Sequence, residues 1–335
     1  MNLPLRFEPY LRPMVWGGRQ LGEVLGKSLP DDSNYGEAWE ISDHSSHPSV
    51  VAAGPYKNQT LRHLMERHSD TLLGKAESRH RRFPWLVKLL DAWDWLSVQV
   101  HPNDDDAARL LPGEGGKTEA WFILAAAPNS RIYAGLLPGV EEKDLRRALR
   151  QGTVGECLHQ FSPRPGDCIF LPAGTVHAVG GGVLMAEVQQ TSDATFRLFD
   201  WNRRDAHGRM RQLHLEEALA CINWNSGPVH PIHAEHYPSG AHPSARRSAP
   251  AAVRQRLVQS PYFTLEYLHS SEPSRVGGGV LQVLLVLHGR GQLETDAGMW
   301  PLASGDTLLL PAALDALTCH PEGNLGLLLS TLPQS

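Results

Sequence analysis

Paired cysteines are missing from this chain. Cys157, Cys168, Cys221 and Cys319 are widely spaced and form no two-cysteine motif. They are expected to be reduced and mostly buried, as in a cytoplasmic protein. Long apolar runs are missing too. No segment approaches membrane-spanning length, and the N-terminus has no basic stretch leading into an apolar one, so neither a span nor a secretory leader is expected. A basic excess is also absent: formal net charge is -5 and no long basic run occurs. That argues against nucleic acid or an anionic membrane as the main partner.

Helical periodicity is scarce. Only 61–73, 104–111, 141–150 and 213–222 carry it, each opened or closed by Pro, Gly, Asn or Asp. The rest is short apolar or alternating runs broken by 31 glycines and 25 prolines. That pattern predicts a mainly β protein, a sandwich or barrel with a few added helices. At 335 residues, 41% hydrophobic and 20% charged, the chain can bury a sizeable globular core. Length alone suggests about two domains.

What is present is a convergence of metal-competent side chains. Leu96-Ser97-Val98-Gln99-Val100-His101-Pro102 alternates polar with apolar, as a half-buried strand does. Successive strand side chains point to opposite faces, so Ser97, Gln99 and His101 share one face. Lys117 and Glu119 share a face of the next such stretch, and Leu171 to His177 is a turn-like approach ending in an imidazole. Three strands can therefore aim an amide oxygen, two imidazoles and a carboxylate at one point. Mixed nitrogen and oxygen donors suit a divalent ion such as Zn, Mn or Fe.

Gly166-Asp167-Cys168-Ile169-Phe170-Leu171-Pro172-Ala173 recurs as Gly305-Asp306-Thr307-Leu308-Leu309-Leu310-Pro311-Ala312. Carried four residues on, the register puts Ala316 where the first copy has His177. Two related β-barrels are expected, the second without ligands. Residues 226–250 are rich in Pro, Ser, Ala and His without periodicity and read as a connection. His230, His233, His236 and His242 within it read as solvated linker histidines. The expected division is a metal-binding domain over 1–225, a linker over 226–255 and a ligand-free barrel over 256–335.

Seven segments in order carry a resemblance to a known family: Pro13 to Gly18, Gly36 to Ser42, Phe83 to Lys88, Leu96 to Asn103, Gly116 to Glu119, Pro172 to His177 and Gln189 to Asp200. Together they resemble the type I mannose-6-phosphate isomerases (phosphomannose isomerases) of the cupin superfamily. The short interval from Glu119 to His177 is similar to the compact bacterial form, which lacks a helical insertion there. The resemblance implies two cupin-type, jelly-roll barrels, with zinc held in the first by Gln99, His101, Glu119 and His177.

It also implies interconversion of mannose 6-phosphate and fructose 6-phosphate through a cis-enediolate, whose charge a Lewis-acid metal and nearby cations stabilise. Glu187 is the implied proton carrier. Its strand reads as otherwise apolar, the setting in which a carboxyl is tuned for acid–base work. Arg197 matches the family's catalytic arginine, although Phe196 replaces the tyrosine that usually precedes it. Lys88, Ser97 and Lys117 match positions facing the phosphosugar. Glu37, Trp39 and Ser42 are expected to build the barrel, and Trp16-Gly17-Gly18 to form a structural turn. A metal-dependent cupin oxygenase and a non-catalytic sugar-phosphate-binding cupin share the scaffold. The cations disfavour the first, and the intact ligands and proton carrier disfavour the second.

Overall fold

The computed structural model describes residues 1, 3–204, 207–238 and 251–333. Its strands form two successive pairs of antiparallel sheets. In the first pair, a seven-stranded sheet runs in the order Tyr10–Gly18, Tyr35–Ile41, Trp85–Ala92, Val183–Gln190, Glu119–Ala126, Asp167–Leu171, Ile232–His233. Its companion runs Phe196–Phe199, Val98–Val100, His177–Val179, Ile132–Leu136, Leu158–Phe161. The second pair has a five-stranded sheet, Ala252–Gln259, Thr264–Ser270, Leu325–Thr331, Gln282–His288, Thr307–Leu310. A four-stranded sheet completes it, Ser274–Val276, Leu317–Pro321, Arg290–Thr295, Gly298–Ala303. The chain is thus mainly β, in the cupin-like manner expected. The sequence repeat falls on strands Asp167–Leu171 and Thr307–Leu310, which hold corresponding places in the two pairs.

Strand parity partitions the core. Val183 and Met185 join Trp121, Ile123, Leu90 and Val179 in a cluster between the first two sheets. Their alternates Leu184, Ala186, Ala120, Phe122, Val87 and Leu89 face outward and pack with Leu265, Tyr267, Val283, Leu285 and Leu309 of the second pair. The seven- and five-stranded sheets therefore share one apolar layer, and the second pair encloses its own cluster around Leu284, Val286 and Leu308. Lys88, Glu187 and Glu119 follow the inward parity, which brings charged groups into the first sandwich.

Helices Leu61–Leu73, Asp104–Leu110, Glu142–Gln151 and Leu215–Cys221 lie where the periodicity places them. Asn103 caps the second by accepting from Asp106 N at 2.8 Å, ending the strand segment just beyond His101.

Two local expectations change. Trp16-Gly17-Gly18 is the irregular end of the first strand, with register shifts between Arg12 and Gly18 instead of a tight turn. The stretch 226–255 is partly sheet: Ile232 and His233 pair with Cys168 and Asp167, and a strand opens at Ala252. There His233 Nδ1 contacts Asp167 Oδ1 at 2.9 Å and His230 packs edge-on to His159, while both histidines stay exposed, as expected of this stretch. His242 and the rest of 239–250 lie outside the described residues. At the other end, Leu5 bridges Leu309, so the N-terminal segment extends a sheet of the second pair.

Candidate active site

The centre begins with His177, the first residue of its strand and buried at 1% exposure. Gly174 in the approach adopts φ +86°, a left-handed conformation natural to glycine, and its N–H donates to His101 O at 2.8 Å. Lys117 N likewise donates to Pro102 O at 2.9 Å, drawing the start of Glu119–Ala126 against the same segment. Gln99 pairs in register with His177 on one side and Arg197 on the other. Local backbone bonds thus bring together the residues that sequence parity points to.

His101, Glu119 and His177 form the one group of three or more metal-competent His, Cys, Asp or Glu among the described residues, with their ligand atoms within 4.8 Å of one another. His101 Nδ1 lies 2.8 Å from Ala194 O, and His177 Nδ1 lies 2.8 Å from Thr175 O. A carbonyl only accepts, so each Nδ1 carries the hydrogen and each Nε2 presents a lone pair inward. Both Glu119 oxygens are buried and receive no aligned hydrogen bond, although Lys117 Nζ is 3.0 Å from Oε2. Burial, with Lys117 nearby, lowers the His101 pKa to about 4, and burial lowers that of His177. Burial opposes charge on Glu119, but the Lys117 ammonium beside it holds the carboxyl well below its usual range. Neutral imidazoles and an ionised carboxylate are the protonation states that metal binding requires. The donor set fits a divalent cation.

Gln99 adjoins this group. Its Oε1 accepts from Ser97 Oγ at 3.1 Å, and its Nε2 is 3.2 Å from His177 Nε2. An amide nitrogen has no lone pair to offer a metal. Exchanging the two ends of the amide sets Oε1 toward the imidazoles while Nε2 donates to Ser97.

Across the sandwich, register places Trp39 beside Lys88, Lys88 beside Glu187, and Glu187 beside Trp121. Lys88 Nζ lies 3.1 Å from Glu187 Oε1, and Trp121 Nε1 donates to Glu187 Oε2 at 3.0 Å. Glu187 is therefore not among purely apolar neighbours: a lysine and an indole N–H hold it. Burial alone would lower the Lys88 pKa, yet Glu187, Glu37 and Asp193 more than reverse this and raise it.

Lys88 and Glu187 line a cavity of about 100 Å³ with Ser97, Gln99, Lys117 and Arg197. Arg12, Arg211, Trp16, Glu37 and Asp193 also line it and escaped the sequence reading as site residues. Glu37 accepts from Trp39 Nε1 at 2.7 Å and pairs with Arg12 at 3.0 Å. Five cationic side chains face three carboxylates here, a surplus suited to an anion. A larger groove of about 610 Å³, bordered by Arg82, Gly115 and Tyr262, contains none of the predicted residues. The chemistry is concentrated in the small cavity.

Fold and site together define a cupin-like β protein with a metal-competent centre beneath a cationic cleft. A family model for the catalytic domain of type I phosphomannose isomerase matches residues 5–131. The mannose-6-phosphate isomerase ManA of Bacillus subtilis is 36% identical over 93% of this chain and 94% of that protein. The mannose-6-phosphate isomerase of Streptococcus mutans is 34% identical over 93% of each. The chain belongs to the type I phosphomannose isomerase family. A crystal structure of the Bacillus subtilis mannose 6-phosphate isomerase matches with a TM-score of 0.83 at 32% identity, covering 98% of this chain and 99% of that one. A mannose 6-phosphate isomerase bound with zinc and yttrium shares the fold, with a TM-score of 0.72 at 16% identity.

Proposed function

We infer that this protein interconverts mannose 6-phosphate and fructose 6-phosphate, an aldose–ketose isomerisation through a cis-enediolate. The observation that carries this is the buried His101–Glu119–His177 group adjoining a cavity that also holds Lys88, Glu187 and a surplus of cations. We propose zinc as the resident ion, held by these three residues with Gln99. Bound there, it supplies Lewis-acid stabilisation of negative charge on the substrate oxygens. Glu187 moves the proton between C1 and C2. Trp121 anchors Oε2, and Oε1, ion-paired with Lys88 but without an aligned hydrogen bond, takes and returns the proton. Lys88 keeps that carboxyl oriented and adds positive charge beside the reacting carbons. Arg197, Lys117 and Ser97 grip the anionic substrate.

The same reading assigns catalysis to 1–225, connection to 226–255 and a supporting role to 256–335. It is supported by the restriction of the metal-competent group to the first segment among the described residues. Four free, buried cysteines support a reducing, cytoplasmic setting, and among the described residues no helix is long and apolar enough to cross a membrane. An oxygenase has no use for this cationic cleft and is not favoured. The deciding experiment is a coupled isomerase assay on mannose 6-phosphate, before and after chelation and with zinc restored. Activity lost with the metal and recovered with it is expected; full activity in metal-free protein would overturn the metal assignment.

A further inference from the structure

Among the described residues, the Arg197 guanidinium has no counterion in contact. Its Nε is buried with no hydrogen-bond partner. Each carboxylate around it is engaged elsewhere: Glu37 and Asp193 with Arg12, Glu187 with Lys88, and Asp200 with Arg203 and Arg211. A second guanidinium faces the same cavity. Arg211 lines it, aimed by a two-point contact with Asp200, Nε to Oδ2 at 2.8 Å and an Nη to Oδ1 at 2.5 Å. The segment bearing Arg211 is strapped to the Arg197 strand, since His214 N donates to Arg197 O at 2.8 Å and Arg197 N donates to His214 Nδ1 at 3.3 Å. Burial first, and then Arg211, lower the Arg197 pKa. Asp200 pairs with Arg203 and Arg211, so the Arg197 charge beside them is left without a carboxylate of its own. That arrangement is costly unless an anion completes it.

We propose that Arg211 is a specificity residue that, with Arg197, grips the phosphate dianion of the substrate, and that Asp200 is the positioning residue that aims it. This rests on the isomerase reading above and deepens it by fixing which end of the cavity receives the phosphate. Two fork-shaped donors match the three oxygens of a phosphate, and Ser97 and Thr195 line the same cavity as further hydroxyl donors. Asp200 stays ionised there: burial opposes this, but its bonds to Arg211 and Arg203 lower its pKa.

The test uses the zinc-loaded full chain and its Arg211→Ala, Arg211→Lys and Asp200→Asn variants. Loss of one charge-assisted fork is expected to raise KM for mannose 6-phosphate on the order of tenfold or more in R211A, with kcat changed by less than about threefold. R211K keeps the charge but loses the fork and falls between R211A and the parent. D200N moves KM in the same direction by less, again without a matching fall in kcat. Inorganic phosphate, used as a competitive inhibitor, weakens in parallel with KM. KM and phosphate inhibition both within twofold of the parent in R211A, with metal retained, would overturn the proposal. So would a raised KM with unaltered phosphate inhibition, which would place Arg211 at the sugar. If the parent failed to isomerise mannose 6-phosphate, the isomerase reading would fall. Calorimetric titration of inorganic phosphate into parent and R211A would still decide the clamp, since unchanged affinity would refute it.

Discussion

Lys117 points its ammonium at the imidazole of His101, with Nζ 3.1 Å from Nε2, the nitrogen that presents its lone pair to the centre. The same ammonium neutralises Glu119 at 3.0 Å. A lysine thus supplies positive charge at the spot where a divalent ion would compete with it. Replacing Lys117 with Met leaves the buried Glu119 charge uncompensated in metal-free protein, a loss of about 3–5 kcal/mol. Zinc restores a counterion. The rise in melting temperature on adding zinc is therefore expected to be larger in K117M than in the parent. An equal or smaller rise, measured by calorimetry on chelated and reloaded protein, would refute competition between the ammonium and the metal.

Glu187 offers a cleaner separation of chemistry from metal binding, because its polar contacts are with Lys88 and Trp121 and not with His101, Glu119 or His177. Glu187→Gln keeps the shape and a hydrogen-bond acceptor for Trp121 but removes the base. Turnover is expected to fall by about 10²–10⁴-fold, with zinc content near that of the parent. Metal analysis beside single-turnover kinetics checks this. Unchanged turnover would reassign Glu187 to a purely structural pairing with Lys88.

Much of the centre was legible before any coordinates because it lies on strands. A two-residue period assigns Ser97, Gln99, Lys117 and Glu119 to faces, and Val98 and Val100 do pack on the opposite side, in a separate core cluster. Arg12, Asp193 and Arg211 were not legible. They reach the cavity from an irregular strand end and from loops, where no period relates sequence position to direction. Trp16-Gly17-Gly18 departs from the expected turn because a bulged strand and a turn share the same glycines. The Leu5–Leu309 bridge was invisible for another reason: one residue pair carries no pattern, and only the assembled sheets create the vacant edge it fills.

The layer between the two sheet pairs contains a titratable cluster. His288 Nε2 is 3.2 Å from the Tyr267 hydroxyl, and the rings of His269 and Tyr237 lie against it. Burial, then the neighbouring His269, lower the His288 pKa to about 4. An unfolded histidine titrates near 6.5, so below that pH the unfolded state binds the proton that the native state refuses. This group therefore costs stability progressively as pH falls from about 6.5 to about 4, and its contribution levels off below. His288→Gln should flatten that part of the stability-against-pH curve relative to the parent, measured by urea unfolding at stepped pH. Parallel curves would show that His288 takes no part.

Phe122 tests whether the two sheet pairs stand or fall together. It is fully buried on the outward face of the seven-stranded sheet, with ring centroids 5.3 Å from Tyr237 and 6.0 Å from Tyr267. Its cluster unites residues from both pairs, so a cavity at this point removes contacts from each. Phe122→Ala is expected to cost about 3–5 kcal/mol. Because the lost contacts are shared, the whole unfolding transition should move to lower temperature as one event. Were the halves independent, the calorimetric trace would split, with one component displaced and the other fixed at the parent's temperature. A single displaced transition would also explain why the second sheet pair matters to the first: it closes the back of the sheet whose inner face carries Lys88, Glu119 and Glu187.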